Sequence, residues 1–421
     1  QEALDSPATN ILVCSHPDVA LNTHALQVIR SEPVTLTGIS GSGAPPTITS
    51  ADGTLPILTF SIPPGSTASV EIQGFSIDGA DTTSGCLVTE QIDLAVSDTA
   101  FELCQSDQPG AAIRVTGGSL TLANADFVGN RSDQRGGAVH VDAPTWLTDI
   151  QDALFEDNES GTDGGALSFS GGPGFNVQAS EFDSNRAARG GAIAAVATGG
   201  IAYAGPMTSF ASNRATGTGG AIYTDGTELW VDTATFDANE ASDALAVHVL
   251  DGAARLTSAT FENHSGDGAT VLLDETTVQV QHSAFTTNSG GPALKVESPV
   301  DTHPLEITGN TFVGNASDQG ASALSLYAFS NRALTLSGNT FPSQTGSAPA
   351  VRQDLPGAAP WDGNTFSNNQ TAVEVRRNVT MTNATFAHNI LGIQVPVAYR
   401  ATVESGSFND NVTGVALGLL G

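Results

Sequence analysis

Residues Phe210–Asp225 read FASNRATGTGGAIYTD. An aromatic comes first, an asparagine follows three places later, and a glycine pair leads into a short apolar run. The pattern returns as FVGNRSDQRGGAVHV from Phe127, FEDNESGTDGGALSF from Phe155 and FDSNRAARGGAIAAV from Phe182. A pattern that recurs at a fixed interval marks a repeat architecture and takes precedence over any local motif. Aligned on phenylalanine, the series runs Phe75, Phe101, Phe127, Phe155, Phe182, Phe210, Phe236, Phe261, Phe285, Phe312, Phe341, Phe366, Phe386 and Phe408, a spacing of about 26 residues. From Phe127 onward the third place after Phe holds Asn130, Asn158, Asn185, Asn213, Asn239, Asn288, Asn315, Asn369, Asn389 and Asn411, with His264 and Gln344 as the exceptions.

Two strand patterns recur in every unit. One precedes the Phe, as in LTLANADF, VQVQHSAF and LEITGNTF, and alternates apolar with polar residues. The other follows the glycines, as in AVHV, ALSF and AIYT. Only THALQVIRS, Thr23–Ser31, fits a short helix. A unit this small cannot bury its own apolar face, but stacked units can if each coil pairs with the next. The predicted fold is therefore all-β: a single-stranded, right-handed parallel β-helix, or β-solenoid, of about sixteen coils. Residues 1–69 are expected to form an N-terminal cap and the first coils, and 70–421 the repeat domain. In this frame Phe127, Phe155, Phe182 and Phe210 point inward and stack about 4.8 Å apart. The Asn column passes amide hydrogen bonds from coil to coil, and the glycine pair makes a corner closed to other residues.

The paired signatures F-x-x-N and G-G-A-[IVL] resemble the repeats of chlamydial polymorphic membrane proteins and related bacterial parallel β-helix surface proteins. Both halves occur together from Phe127 to Tyr223; after Phe236 the glycine half decays to GDGAT and GGPAL. The resemblance implies a secreted or cell-surface protein with an adhesive role, and it specifies no ligand.

The chain has 44 acidic and 14 basic residues, a formal charge of −30, and a single lysine, Lys295. Such a surface repels nucleic acid and anionic membrane. It attracts cations and leaves room for weakly held surface calcium; no cofactor is expected. The eight histidines show no ligand spacing, and GGPGFNVQA at Gly171 matches a calcium-binding nonapeptide only in part. No apolar run is long enough to cross a membrane. Gln1 opens the chain without a signal-peptide pattern, as a mature secreted protein would. Cys14, Cys86 and Cys104 allow one disulfide, with all three pairings open.

The strand after the glycines places one outward residue per coil: Arg114, His140, Ser168, Ala194, Tyr223, His248, Leu272 and Lys295. Tyr223 and His248 fall in adjacent coils, a pair able to abstract a proton in an open groove. The expected function is nonetheless non-enzymatic: an extracellular structural or adhesive module. Its partners are a cell-surface protein or glycan, or copies of itself in an oligomer or fibre. The alternative is a polysaccharide lyase or glycoside hydrolase built on Tyr223 and His248. Eight N-x-[ST] sequons occur, five of them on the Asn column, where an inward amide cannot carry a glycan. The last unit ends on GVALGLL, which predicts that Leu417, Leu419 and Leu420 face a partner or further chain.

Overall fold

A computed structural model describes residues 10–14, 21–23, 26–29, 32–40, 43–50, 53–62, 68–80, 82–297, 305–327, 334–355, 361–396 and 398–418. The chain forms two compact units, Gln1–Thr216 and Gly217–Gly421. Among the described residues every regular element is a strand.

Each unit is a parallel β-solenoid. In the first, Asp93–Glu102 pairs in parallel with Leu120–Val128 and sets Phe101 beside Phe127. Ile113–Thr116 pairs with Val139–Asp142, and Val139–Asp142 with Leu167–Ser170. In the second, Ala253–Thr257 pairs with Thr277–Gln281, and Val271–Asp274 with Leu294–Glu297. Residue i therefore faces its equivalent one coil away. Identical side chains stack, and a single column of the repeat decides a whole stripe of core.

The Phe column is such a stripe. Rings of Phe101, Phe127, Phe155, Phe182 and Phe210 lie 4.8–5.2 Å apart in the first unit. Those from Phe236 to Phe408 lie 4.7–5.0 Å apart in the second. Phe101 to Phe386 are fully buried, each contributing about 2–3 kcal/mol. The first Phe of the sequence series is out of register: Ile77, not Phe75, pairs with Phe101. Phe75 is buried two residues earlier, at the bend where the Thr99 hydroxyl accepts its amide hydrogen.

The Asn column turns the next corner. Asn158 donates from Nδ2 to the carbonyl of Phe127, and its Oδ1 accepts from the backbone amide and Nδ2 of Asn130 at 3.0 and 2.9 Å. Asn185, Asn213, Asn288, Asn315, Asn369, Asn389 and Asn411 donate in the same way to a Phe carbonyl of the preceding coil. Gln344 substitutes with its longer amide: Oε1 accepts from the Asn315 amide and Nε2 donates to the Phe312 carbonyl. His264 keeps the chain of bonds as well, accepting from Asn239 at Nε2 and donating from Nδ1 to Asn288.

The glycine pair divides its work. Gly136, Gly164 and Gly219 hold φ near +65°, the left-handed region. The second glycine admits the next coil: a Cβ on Gly137 or Gly165 would stand 2.0 Å from the carbonyl oxygen of Gly165 or Gly191. Where the signature decays, Ala244 takes the left-handed place with φ 49° and Leu245 follows it.

The helix expectation is revised, and the open disulfide pairing is settled. The segment read as a short helix contains the strand Leu26–Ile29, held by parallel pairing with Leu58–Ser61; non-local ladder bonds override a weak helical pattern. Cys86 bonds Cys104, with Cα atoms 5.8 Å apart. The side chain of Cys14 lies outside the described residues. At the C-terminal end Leu417 is exposed, and Leu419 and Leu420 lie outside the described residues.

Candidate functional site

The row after the glycine corner is not an open groove. Ile222 and Thr224 turn into the coil, so Tyr223 points away from it, as alternation requires. Yet Tyr223 is 3% exposed and His248 8%, and His140, Ser168, Ala194 and Leu272 are buried too. The corner segments fold back over this face. The Thr218 hydroxyl sits 2.8 Å from His248 Nδ1, and Ala244 and Ala269 pack with Leu272. In the first unit Arg135 reaches Ser170 and joins Arg189 in holding the buried Asp163 at 3.4 and 2.8 Å.

Tyr223 and His248 are brought together, edge to face, with ring centroids 5.6 Å apart. The Tyr223 hydroxyl donates to Asp225 at 3.2 Å. Burial lowers the pKa of His248 and outweighs the pull of Asp243, Asp274 and Asp225. The imidazole is bonded to Thr218 and covered by the corner segments, so Tyr223 and His248 do not line an open groove. At the ends of the row Arg114 and Lys295 are half-buried, and Lys295 is paired with Glu297 at 2.9 Å.

The exposed chemistry lies one corner earlier. In the first unit the short strands Gln105–Ser106, Arg131–Ser132, Glu159–Ser160 and Arg186–Arg189 stack in parallel. Ser106, Ser132 and Ser160 turn inward; the Ser132 and Ser160 hydroxyls bond the carbonyls of Gln108 and Asp163 and so tie down the loops. Gln105, Arg131 and Arg186 face solvent in a line with Glu159. Arg131 is neutralised by Glu159 at 2.8 Å. Arg186 makes no ion pair among the described residues. It lines a depression of about 340 Å³ with Glu159, Ser160, Gly161, Arg214 and Thr216. Five of the 14 basic residues, Arg131, Arg135, Arg186, Arg189 and Arg214, fall within residues 131–214.

The corresponding corner of the second unit is acidic. A depression of about 270 Å³ is lined by Asp267, Ser317, Asp318 and Gln319. The Ser347 amide and hydroxyl hold the Asp318 carboxyl below its usual range. Among the described residues no group of three or more His, Cys, Asp or Glu is placed to hold a metal. No described helix is long and apolar enough to cross a membrane.

Sequence reading missed a second amide ladder. Asn310, Asn339 and Asn364 are buried two places before Phe; Oδ1 of Asn339 and of Asn364 accepts the amide of the coil before, and each Nδ2 donates to a carbonyl. The signal was the recurring tetrapeptide GNTF at 309, 338 and 363.

Residues 208–225 match the Chlamydia polymorphic membrane protein repeat. The chain carries this repeat. No curated protein matches the chain. Among solved structures, tailspike protein 3 of bacteriophage CBA120 aligns over 97% of this chain and 57% of its own, at 9% identity and a TM-score of 0.35. A PL6-family alginate lyase, AlyGC, aligns over 96% and 74%, at 10% identity and TM-score 0.32. A mannuronic-acid-specific family 6 lyase from human gut microbiota aligns over 83% and 82%, at 11% identity and TM-score 0.30. The chain thus spans less than two thirds of the tailspike, and scores this low carry nothing about activity.

Proposed function

We propose that the chain is an extracellular, non-enzymatic adhesive module, and that the arginine corner of its first unit docks carboxylate or sulfate groups of a cell-surface glycan. The observation that carries this reading is a contrast in exposure. The pair with catalytic chemistry, Tyr223 and His248, is sealed, whereas Arg186 is open and unpaired beside a depression. A guanidinium in that setting binds an oxyanion through two parallel N–H bonds. The Cys86–Cys104 disulfide fits an oxidising compartment, and the polymorphic membrane protein repeat fits a surface setting.

The test is retention on immobilised heparin and polygalacturonate, next to a neutral dextran control. Wild-type protein is expected to be retained on an anionic matrix. Arg186→Glu should weaken retention about tenfold or more at unchanged melting temperature. Equal retention of wild type and Arg186→Glu would overturn the assignment. The same incubations should release no unsaturated sugar; release that depends on Tyr223 would return the protein to the lyase class.

A further inference from the structure

The eight sequons are not equivalent once their amide groups are placed. The ladder residues Asn130, Asn158, Asn315, Asn369 and Asn411 each donate Nδ2 to a Phe carbonyl of the coil before, at 2.8–3.0 Å. Four of the five are fully buried. A sugar on any of these nitrogens breaks the ladder. Asn263 and Asn383 are exposed, but their amides are engaged as well: Asn263 donates to Asp237 at 2.9 Å and Asn383 to Asp362 at 2.8 Å. Asp362 also takes the Thr382 hydroxyl at 2.9 Å, so that corner is doubly tied.

Asn378 differs from all seven. It stands exposed at the corner that opens the strand Val379–Thr382. Its Oδ1 accepts the backbone amide of Arg400 at 2.9 Å, which fixes the side chain. Its Nδ2 has no partner among the described residues. Two places on, the Thr380 hydroxyl is outward and likewise has no partner among the described residues. Both groups that an N-x-[ST] acceptor must present, the amide nitrogen and the hydroxyl, thus stand on one corner without a partner among the described residues.

The geometry points to Asn378 as an N-glycosylation site, the one sequon of eight that accepts a glycan in the folded chain. The donor class is a polyprenyl-pyrophosphate-linked oligosaccharide. Asn378 Nδ2 forms a bond to the anomeric carbon, the bond from that carbon to the phosphate oxygen breaks, and the lipid pyrophosphate leaves. One amide proton passes to a base of the transferase. The assignment stands on amide geometry and is independent of the adhesive reading.

The test incubates the folded chain with a single-subunit oligosaccharyltransferase and such a donor, followed by peptide mass spectrometry at all eight sequons. Glycan is expected at Asn378, with the other seven about tenfold lower or absent. Asn378→Gln should abolish incorporation without changing the melting temperature. Asp362→Ala, which frees the Asn383 amide, should bring Asn383 into modification. An unmodified Asn378 in a folded chain whose denatured form is glycosylated would overturn the proposal. So would wild-type occupancy at Asn263 or Asn383 equal to that at Asn378, or an Asp362→Ala variant that leaves Asn383 unmodified.

Discussion

At the scale of the residue, His264 shows how a ladder tolerates a different side chain and what the exchange costs. The imidazole sits in an amide column: Nδ1–H donates to Asn288 at 2.9 Å, and Nε2 receives the Asn239 amide at 3.3 Å. A second ring proton would face that donor in a site with no solvent. Burial accordingly pushes the pKa from 6.5 to about 4, although the Asn288 bond favours the charged ring. The unfolded chain therefore takes up the proton first. The stability associated with this group is fully present above pH 6.5 and is lost as pH falls toward 4. The loss is on the order of 3 kcal/mol. His264→Asn restores the amide and removes the titration, so urea unfolding at pH 7.5 and 4.5 should show the variant losing less stability on acidification by that amount. Equal losses would mean that the ring is charged in the fold. Composition could place a residue in this column; it could not say that histidine would be held neutral there, because that depends on the two bonds at its ends.

At the scale of the element, a column is legible when one residue type fills it. Phe, Asn and the glycine pair are such columns, and they delivered the coil, its period and its inward face. The bend before Phe is the opposite case. Its left-handed place is filled by Asp98, Asn124, Asp152, Ala179, Met207, Thr233, Ser258 and His282, with φ between 48° and 59°. Pairing with the coils on either side imposes that conformation on whatever residue arrives, so the column leaves no compositional trace. The second amide ladder was hidden in the same way, since Ala125, Ala153, Ser180 and Ser283 occupy the place before Asn310 begins it. The glycine pair is legible because backbone, which cannot yield, surrounds it. Gly165→Ala would place Cβ 2.0 Å from the Gly191 carbonyl oxygen. It is expected to lower stability by about 3 kcal/mol or more. Gly199→Ala, whose Cβ would meet its nearest atom at 3.6 Å, should change it by less than about 1 kcal/mol. Equal denaturation midpoints for the two variants would show that close coil approach does not explain the pair.

At the scale of the whole molecule, alternation told which way Tyr223 and His248 point, but not that corner segments cover them. Strand period reports direction, and cover comes from loops whose path no period describes. The arginine corner was passed over for a related reason: its residues are far apart in sequence and meet only through coil stacking. Charge is the property that both units share, and it makes the last prediction. A net charge of −30 repels itself in the compact state and has little countercharge to relieve it. Added salt screens this, most steeply below about 0.3 M, where the Debye length contracts from roughly 10 Å toward a few ångströms. The melting temperature should therefore rise by several degrees between about 0.05 M and 1 M sodium chloride, with most of the rise at the low end. Over the same range binding at Arg186 should weaken, since screening acts there against an attraction. Stability and glycan retention are thus expected to move in opposite directions with one variable. A flat or falling melting temperature would show that the acidic surface is already neutralised, by bound cations or by its own arginines. Retention that survives high salt would show that docking does not rest on charge.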